Sequence, residues 1–124
     1  MANAFDGCIN LNMAASDIPD LSKVTSLINM FLSCKSLEDN PSWNNWQTGN
    51  IIKMNGMFFF SNFNFNIANW DVSQDDSMQV MFANTPFNQF IGDWNVENLS
   101  SMNEMFRDTP FNQDISNWNV QNVE

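Results

Sequence analysis

The sequence predicts an α/β repeat solenoid, and three observations predict it. Trp46, Trp70, Trp94 and Trp118 recur at intervals of 24 residues. Within each interval the apolar spacing changes from a helical period to an alternating one. A segment of that length buries almost nothing by itself, so stability must come from neighbours stacking their apolar columns into one core.

Other columns keep the interval. Met54, Met78 and Met102 form one, Met57, Met81 and Met105 another, and Phe58, Phe82 and Phe106 a third. Phe63, Phe87 and Phe111 follow, as do Ile67, Ile91 and Ile115, and polar positions share the register in Asn64, Asn88 and Asn112. Going backwards, Met-Phe recurs at Met30-Phe31 and Ala-Phe at Ala4-Phe5, in longer units that share the cysteine column Cys8 and Cys34. The expected organisation is one array over residues 1–124, with units 5–30, 31–57, 58–81, 82–105 and an incomplete 106–124. Without capping units, the chain is expected either to be a segment of a longer array or to meet another protein at its open ends.

Each unit is expected to hold one short helix and one or two short parallel strands. Leu99, Met102, Met105 and Phe106 lie on one helical stripe, with Asn98 as N-cap and Asn50 and Asn122 in the same column. Asp75 stands where that column of helix starts carries Ile51, Leu99 and Val123, and is expected to loosen it. Thr85-Pro86 and Thr109-Pro110 mark turns, while Phe87–Ile91 and Trp94–Val96 alternate as extended segments do. Strands stack about 4.8 Å apart and helices about 8 to 10 Å apart, which would curve the coil and line its inner face with polar residues. The expected lining is Asn69, Asp71 and Ser73, then Asp93, Asn95 and Glu97, then Asn117, Asn119 and Gln121.

Composition narrows function. The 124 residues carry no His, 4 Lys plus Arg, 14 Asp plus Glu and a net charge of −10. Without His, the usual general base, the Ser/His and Cys/His nucleophiles and His-containing zinc sites are gone. Four scattered cations, Lys23, Lys35, Lys53 and Arg107, do not make a phosphate track, so neither nucleic acid nor anionic lipid is an expected partner. No apolar run approaches the roughly 20 residues of a membrane span, and no export signal opens the chain. Cys8 and Cys34 fit buried thiols in an apolar column, with a disulfide between adjacent units as the alternative.

No catalytic, cofactor or metal site is expected. The methionines recur on the Phe-bearing face and fit a core; Asp71, Asp75 and Asp76 lack the spacing of a calcium loop. Asp93 and Glu97 face Asn69 and Ser73, or Asn117 and Gln121, in neighbouring units, which describes a solvated surface and no acid pair. Most of the 22 asparagines are expected to satisfy backbone groups in turns and to bond from unit to unit. Trp43, in the Ile67 column, is expected in the core. The partner-binding candidates are the residues that break the template, Phe90, whose column holds Asn66 and Asp114, and Phe59 and Phe60, set against Ala83/Arg107 and Asn84/Asp108, together with Asn69, Asp71, Asp93, Asn95, Asn117 and Asn119 of the expected inner face.

The strings Phe111-Asn-Gln-Asp-Ile-Ser-Asn-Trp-Asn-Val120 and Val24-Thr-Ser-Leu-Ile-Asn-Met-Phe31 resemble the repeats of the bacterial surface-protein family related to BspA-like leucine-rich repeats, abundant in mycoplasma surface lipoproteins. The resemblance covers essentially the whole chain. It implies a leucine-rich-repeat-like right-handed coil and a non-enzymatic role in protein or glycan recognition or adhesion at a surface. The second expectation, from another class, is a structural component of a shell, filament or virion, assembling through open ends and exposed aromatics. The two differ in location, extracellular for the first and a cytoplasmic assembly or virion for the second.

Overall fold

The computed structural model describes residues 1–13 and 15–124, and it overturns the expected fold class. Among the described residues there is no α-helix and no named β-strand. The one regular element among the described residues is a five-residue 3-10 helix, Pro41–Asn45, whose N-cap Asn40 accepts from the Ser42 N–H. Extended pairing is reduced to isolated parallel bridges joining Ser26 to Lys53, Lys53 to Ser77 and Ser77 to Ser101. The α/β, leucine-rich-repeat-like solenoid is therefore incorrect, and the polar inner face deduced from its strands and helices falls with it.

The physical reason lies in where the backbone donors go. In the segment expected to be helical, every second N–H crosses to the matching stretch one repeat further on: Leu27, Asn29, Phe31 and Ser33 donate to the carbonyls of Lys53, Asn55, Met57 and Phe59. Met54, Gly56, Phe58 and Phe60 donate in the same way to Ser77, Gln79, Met81 and Ala83. Donors spent on a neighbour cannot close i to i−4 helical bonds.

The intervening N–H groups close tight turns. Met57 donates to Met54 and Ser61 to Phe58; Met105 donates to Met102 and Thr109 to Phe106. The third residue of each such turn has positive φ, as in Gly56 and Phe60 or Glu104 and Asp108, which is the signature of a type II turn. Two such turns in tandem bring residues 1, 4, 5 and 8 of the segment to one side. An amphipathic helix presents the same spacing, so the apolar stripe is real and the helix is not.

The stripe builds a core of in-register ladders. Phe5, Phe31, Phe58, Phe82 and Phe106 stack with ring centroids 5.4, 5.7, 5.9 and 6.0 Å apart. A second ladder of Phe63, Phe87 and Phe111 runs beside it, at 6.1 and 6.0 Å. Near-parallel, offset rings of this kind add about 0.5 to 1.5 kcal/mol per pair beyond burial. Trp46, Trp70, Trp94 and Trp118 are all buried, as is Trp43. The Nε1–H groups of Trp70, Trp94 and Trp118 donate to the carbonyls of Trp43, Ile67 and Ile91, at 2.6, 3.3 and 3.1 Å, which makes burial of the indoles affordable.

Amides serve the backbone between units. The Oδ1 of Asn64 accepts from the Asn88 N–H and that of Asn88 from the Asn112 N–H, at 2.9 and 3.1 Å. Asn50, Asn98 and Asn122, expected as N-caps, are not caps. Their Nδ2 groups instead donate to carbonyls of the preceding unit: Leu21 and Val24 for Asn50, Ser73 for Asn98 and Glu97 for Asn122. Both cysteines are free. Cys34 is buried and donates through Sγ to the Phe5 carbonyl, whereas Cys8 is exposed.

Candidate functional site: aromatics on a strained turn

The turn Phe58–Ser61 departs from its equivalents in side chain but not in backbone. Ser61 N–H closes it onto the Phe58 carbonyl at 3.0 Å, and Phe60 occupies its third position with φ of 58°. The same place holds Gly7, Ser33, Asn84 and Asp108 elsewhere in the chain. Gly, Asn and Asp tolerate the left-handed region, and a bulky side chain does so at about 1 to 2 kcal/mol. Phe60 gains little burial in exchange, since 44% of its surface stays exposed.

The surroundings concentrate two of the molecule's four cations. Lys35 Nζ lies 5.4 Å from the Phe60 ring centre, and the half-buried Phe59 ring lies 4.6 Å from that of Phe60. Arg107, two units further on, reaches to 5.9 Å from the Phe59 ring, with the fully buried Ala83 occupying the unit between. Arg107 is itself held by Glu104 at 2.6 Å and by Asp108 at 3.7 Å. The result is an apolar surface with cations at its rim on a chain of net charge −10. It can contact a flat or apolar group and a nearby anion together.

Phe90 is separate. It is 45% exposed, and among the described residues no aromatic pair joins it to Phe59 or Phe60. Its column partners Asn66 and Asp114 accept the N–H groups of Ala68 and Ser116 in Asx turns. Phe90 has no acceptor for that bond, and its ring folds over Gly92, where an added Cβ would lie 2.8 Å from Cε2. A side chain on residue 92 would meet the Asp114 carbonyl oxygen first and the Phe90 ring second, so Gly92 is fixed by the neighbouring backbone as well as by Phe90.

The polar candidates are exposed. Asp71 accepts from the Ser73 N–H, Asn95 from Glu97 and Asn119 from Gln121, all within local turns. Hydrogen bonds from the Ser73 side chain and backbone hold the Asp71 carboxyl below its ordinary range. The backbone N–H of Asn69 donates to Asn44, and Asp93 and Asn117 are solvated. Among the described residues no group of three or more His, Cys, Asp or Glu gathers as a metal set, and no helix is long and apolar enough to cross a membrane.

Sequence reasoning flagged Phe59 and Phe60 but missed Lys35 and Arg107 as their companions, and missed the strain. A signal existed: a column reading Gly7, Ser33, Asn84, Asp108 is made of turn formers, and Phe60 is its one aromatic.

No curated protein and no solved structure matches the chain. A family model described as "Mycoplasma protein of unknown function, DUF285" matches residues 1–109 and again residues 60–124. With most of its length matched, the chain belongs to that family of mycoplasma-type repeat proteins.

Proposed function

We propose that the chain is a non-enzymatic recognition module that binds a protein or glycan partner at a cell or particle surface, through Phe60 and Phe59 with Lys35 and Arg107 at the rim. The observation that carries this is Phe60: an aromatic side chain held in a strained backbone conformation and left exposed, where other units use Gly, Ser, Asn or Asp. Such a residue lowers stability in the free molecule, and contact with a partner gives it a use. The resemblance to surface-protein repeats of the BspA type supports the location.

The test is Phe60→Asn, which installs the residue of the neighbouring turn at Asn84. Glycan and surface-protein arrays probed with the wild-type chain should give binding that the variant loses at least tenfold, with its fold intact by circular dichroism. No binding by a monomeric wild-type chain, or equal binding by the variant, would overturn the proposal. Sedimentation velocity separates the alternative use of the same surface: concentration-dependent assembly that Phe60→Asn abolishes would assign the patch to a shell, filament or virion contact.

A further inference from the structure

Asp75 breaks the rule of its column. Asp75 N–H donates to the Val72 carbonyl as Ile51 does to Thr48, Leu99 to Val96 and Val123 to Val120. The backbone is thus the same at all four positions. Three carry aliphatic side chains; the fourth carries a carboxyl only 1% exposed. Its Oδ1 accepts from the Ser77 N–H at 2.9 Å, while Oδ2 has no hydrogen-bond partner.

The neighbourhood has acceptors in excess. Asn55 Nδ2 donates to Ser77 Oγ at 2.8 Å, which leaves Asn55 Oδ1 buried without a hydrogen-bond partner, and Asp76 Oδ1 likewise accepts no hydrogen bond. The charged groups facing Asp75 are Lys53 and Asp76. Lys53 Nζ lies 4.0 Å from Asp76 Oδ1, with both side chains about half exposed, so this cation is already shared with the neighbouring acid. The Met54 N–H also faces the carboxyl but donates to the Ser77 carbonyl, so Oδ2 goes without a hydrogen-bond donor. A protonated carboxyl supplies one and removes the buried charge.

We propose that Asp75 makes this junction a proton-gated joint. With the carboxyl protonated, the segment Val72–Met78 stays docked on Ile51–Met54. With it ionised, that segment opens locally so that the carboxylate reaches water, while the aromatic ladders on either side hold. Burial is the main force pushing the carboxyl up, to about 7, with Asp76 adding to it and the Ser77 N–H, Lys53 and the Met54 N–H opposing. The gate therefore works near neutral pH.

Amide hydrogen exchange followed by NMR tests this on the intact chain. The reporters are the N–H groups that cross the joint, Met54 to Ser77 and Asp76 to Ile52. The controls are Val80 to Asn103 and Asn84 to Arg107 in the next junction. After correction for intrinsic exchange, protection at Met54 and Asp76 should fall about tenfold from pH 6 to pH 8, with little change at Val80 and Asn84. In Asp75→Leu and in Asp75→Asn the fall should vanish. Flat protection in the wild type, an equal fall at all four amides, or a fall that survives in Asp75→Leu would each overturn the proposal.

Discussion

Units 58–81 and 82–105 share one backbone but not one set of side chains. Both stack a Phe, a second Phe and a Trp on their neighbours, through Phe58, Phe63 and Trp70 in the first and Phe82, Phe87 and Trp94 in the second. Both send alternate N–H groups to the matching stretch one repeat further on, Phe58 and Phe60 to Met81 and Ala83 in the first and Phe82 and Asn84 to Met105 and Arg107 in the second. Yet the first has Phe60 and Asp75 where the second has Asn84 and Leu99, and both departures oppose local physics: a bulky residue at positive φ and a carboxyl in an apolar slot. The comparison teaches that ladders and inter-unit hydrogen bonds set the conformation. Single misfit residues are held in it, and their cost is retained as local instability.

The largest effect should come from breaking what the two units share. Trp94 is 4% exposed, and Trp94→Ala should cost about 3 to 5 kcal/mol in chemical denaturation. Trp70→Ala should cost a similar amount. A near-neutral result at either would mean that the indole column contributes little to the core.

Next comes the position where they differ most. The Asp75 carboxyl, raised from 3.8 to about 7 by burial, binds a proton in the folded chain at pH values where the unfolded chain has released it. Its contribution therefore makes stability fall as pH rises from about 4 to about 7, by roughly 4 kcal/mol over that window. Asp20, Asp71 and Asp114 act in the opposite direction. Hydrogen bonds from Ser22, Ser73 and Ser116 lower their carboxyls, and that stabilisation is lost as pH falls through their folded values. Asp75→Leu, which copies Leu99, should remove the downward slope. It should stabilise the chain by up to about 4 kcal/mol at pH 8 and scarcely at all near pH 4. An unchanged difference across the two pH values would show that packing volume, and not charge, distinguishes the two residues.

How much of this was legible in the sequence depends on which physical quantity the residues report. The interval of 24 and the Phe, Met and Trp columns report side-chain burial, and Trp94, Phe87 and Met78 are buried as their columns imply. The direction of the backbone hydrogen bonds was not legible from apolar spacing. Leu99, Met102, Met105 and Phe106 fit an amphipathic helix and a pair of tandem turns equally well. The residues that distinguish them lie between the apolar ones. Asn3, Asn29 and Gly56 recur in one column and Gly7, Ser33, Asn84 and Asp108 in another, and these are residues suited to positive φ. The exposed aromatics could be picked out as template breakers. Of their cationic companions, Arg107 shares the Phe59 column with Ala83, but column membership does not show that its side chain reaches the ring across the small, buried Ala83.

The smallest effect separates strain from function. Val80, like Phe60, is a residue ill suited to positive φ, with φ of 50° in the column of Asn3, Asn29, Gly56 and Glu104. Val80→Asn and Phe60→Asn should each relieve about 1 kcal/mol of backbone strain, seen as a rise in denaturation midpoint without a change in its slope. Val80 is half-buried and supplies no side chain to the proposed contact, so its replacement should leave partner binding untouched, whereas that of Phe60 should abolish it. If both variants gain stability and both keep binding, the strain at residue 60 is only a tolerated misfit. If Phe60→Asn alone loses the partner while both gain stability, the exposed ring is a binding residue retained at a cost to the fold.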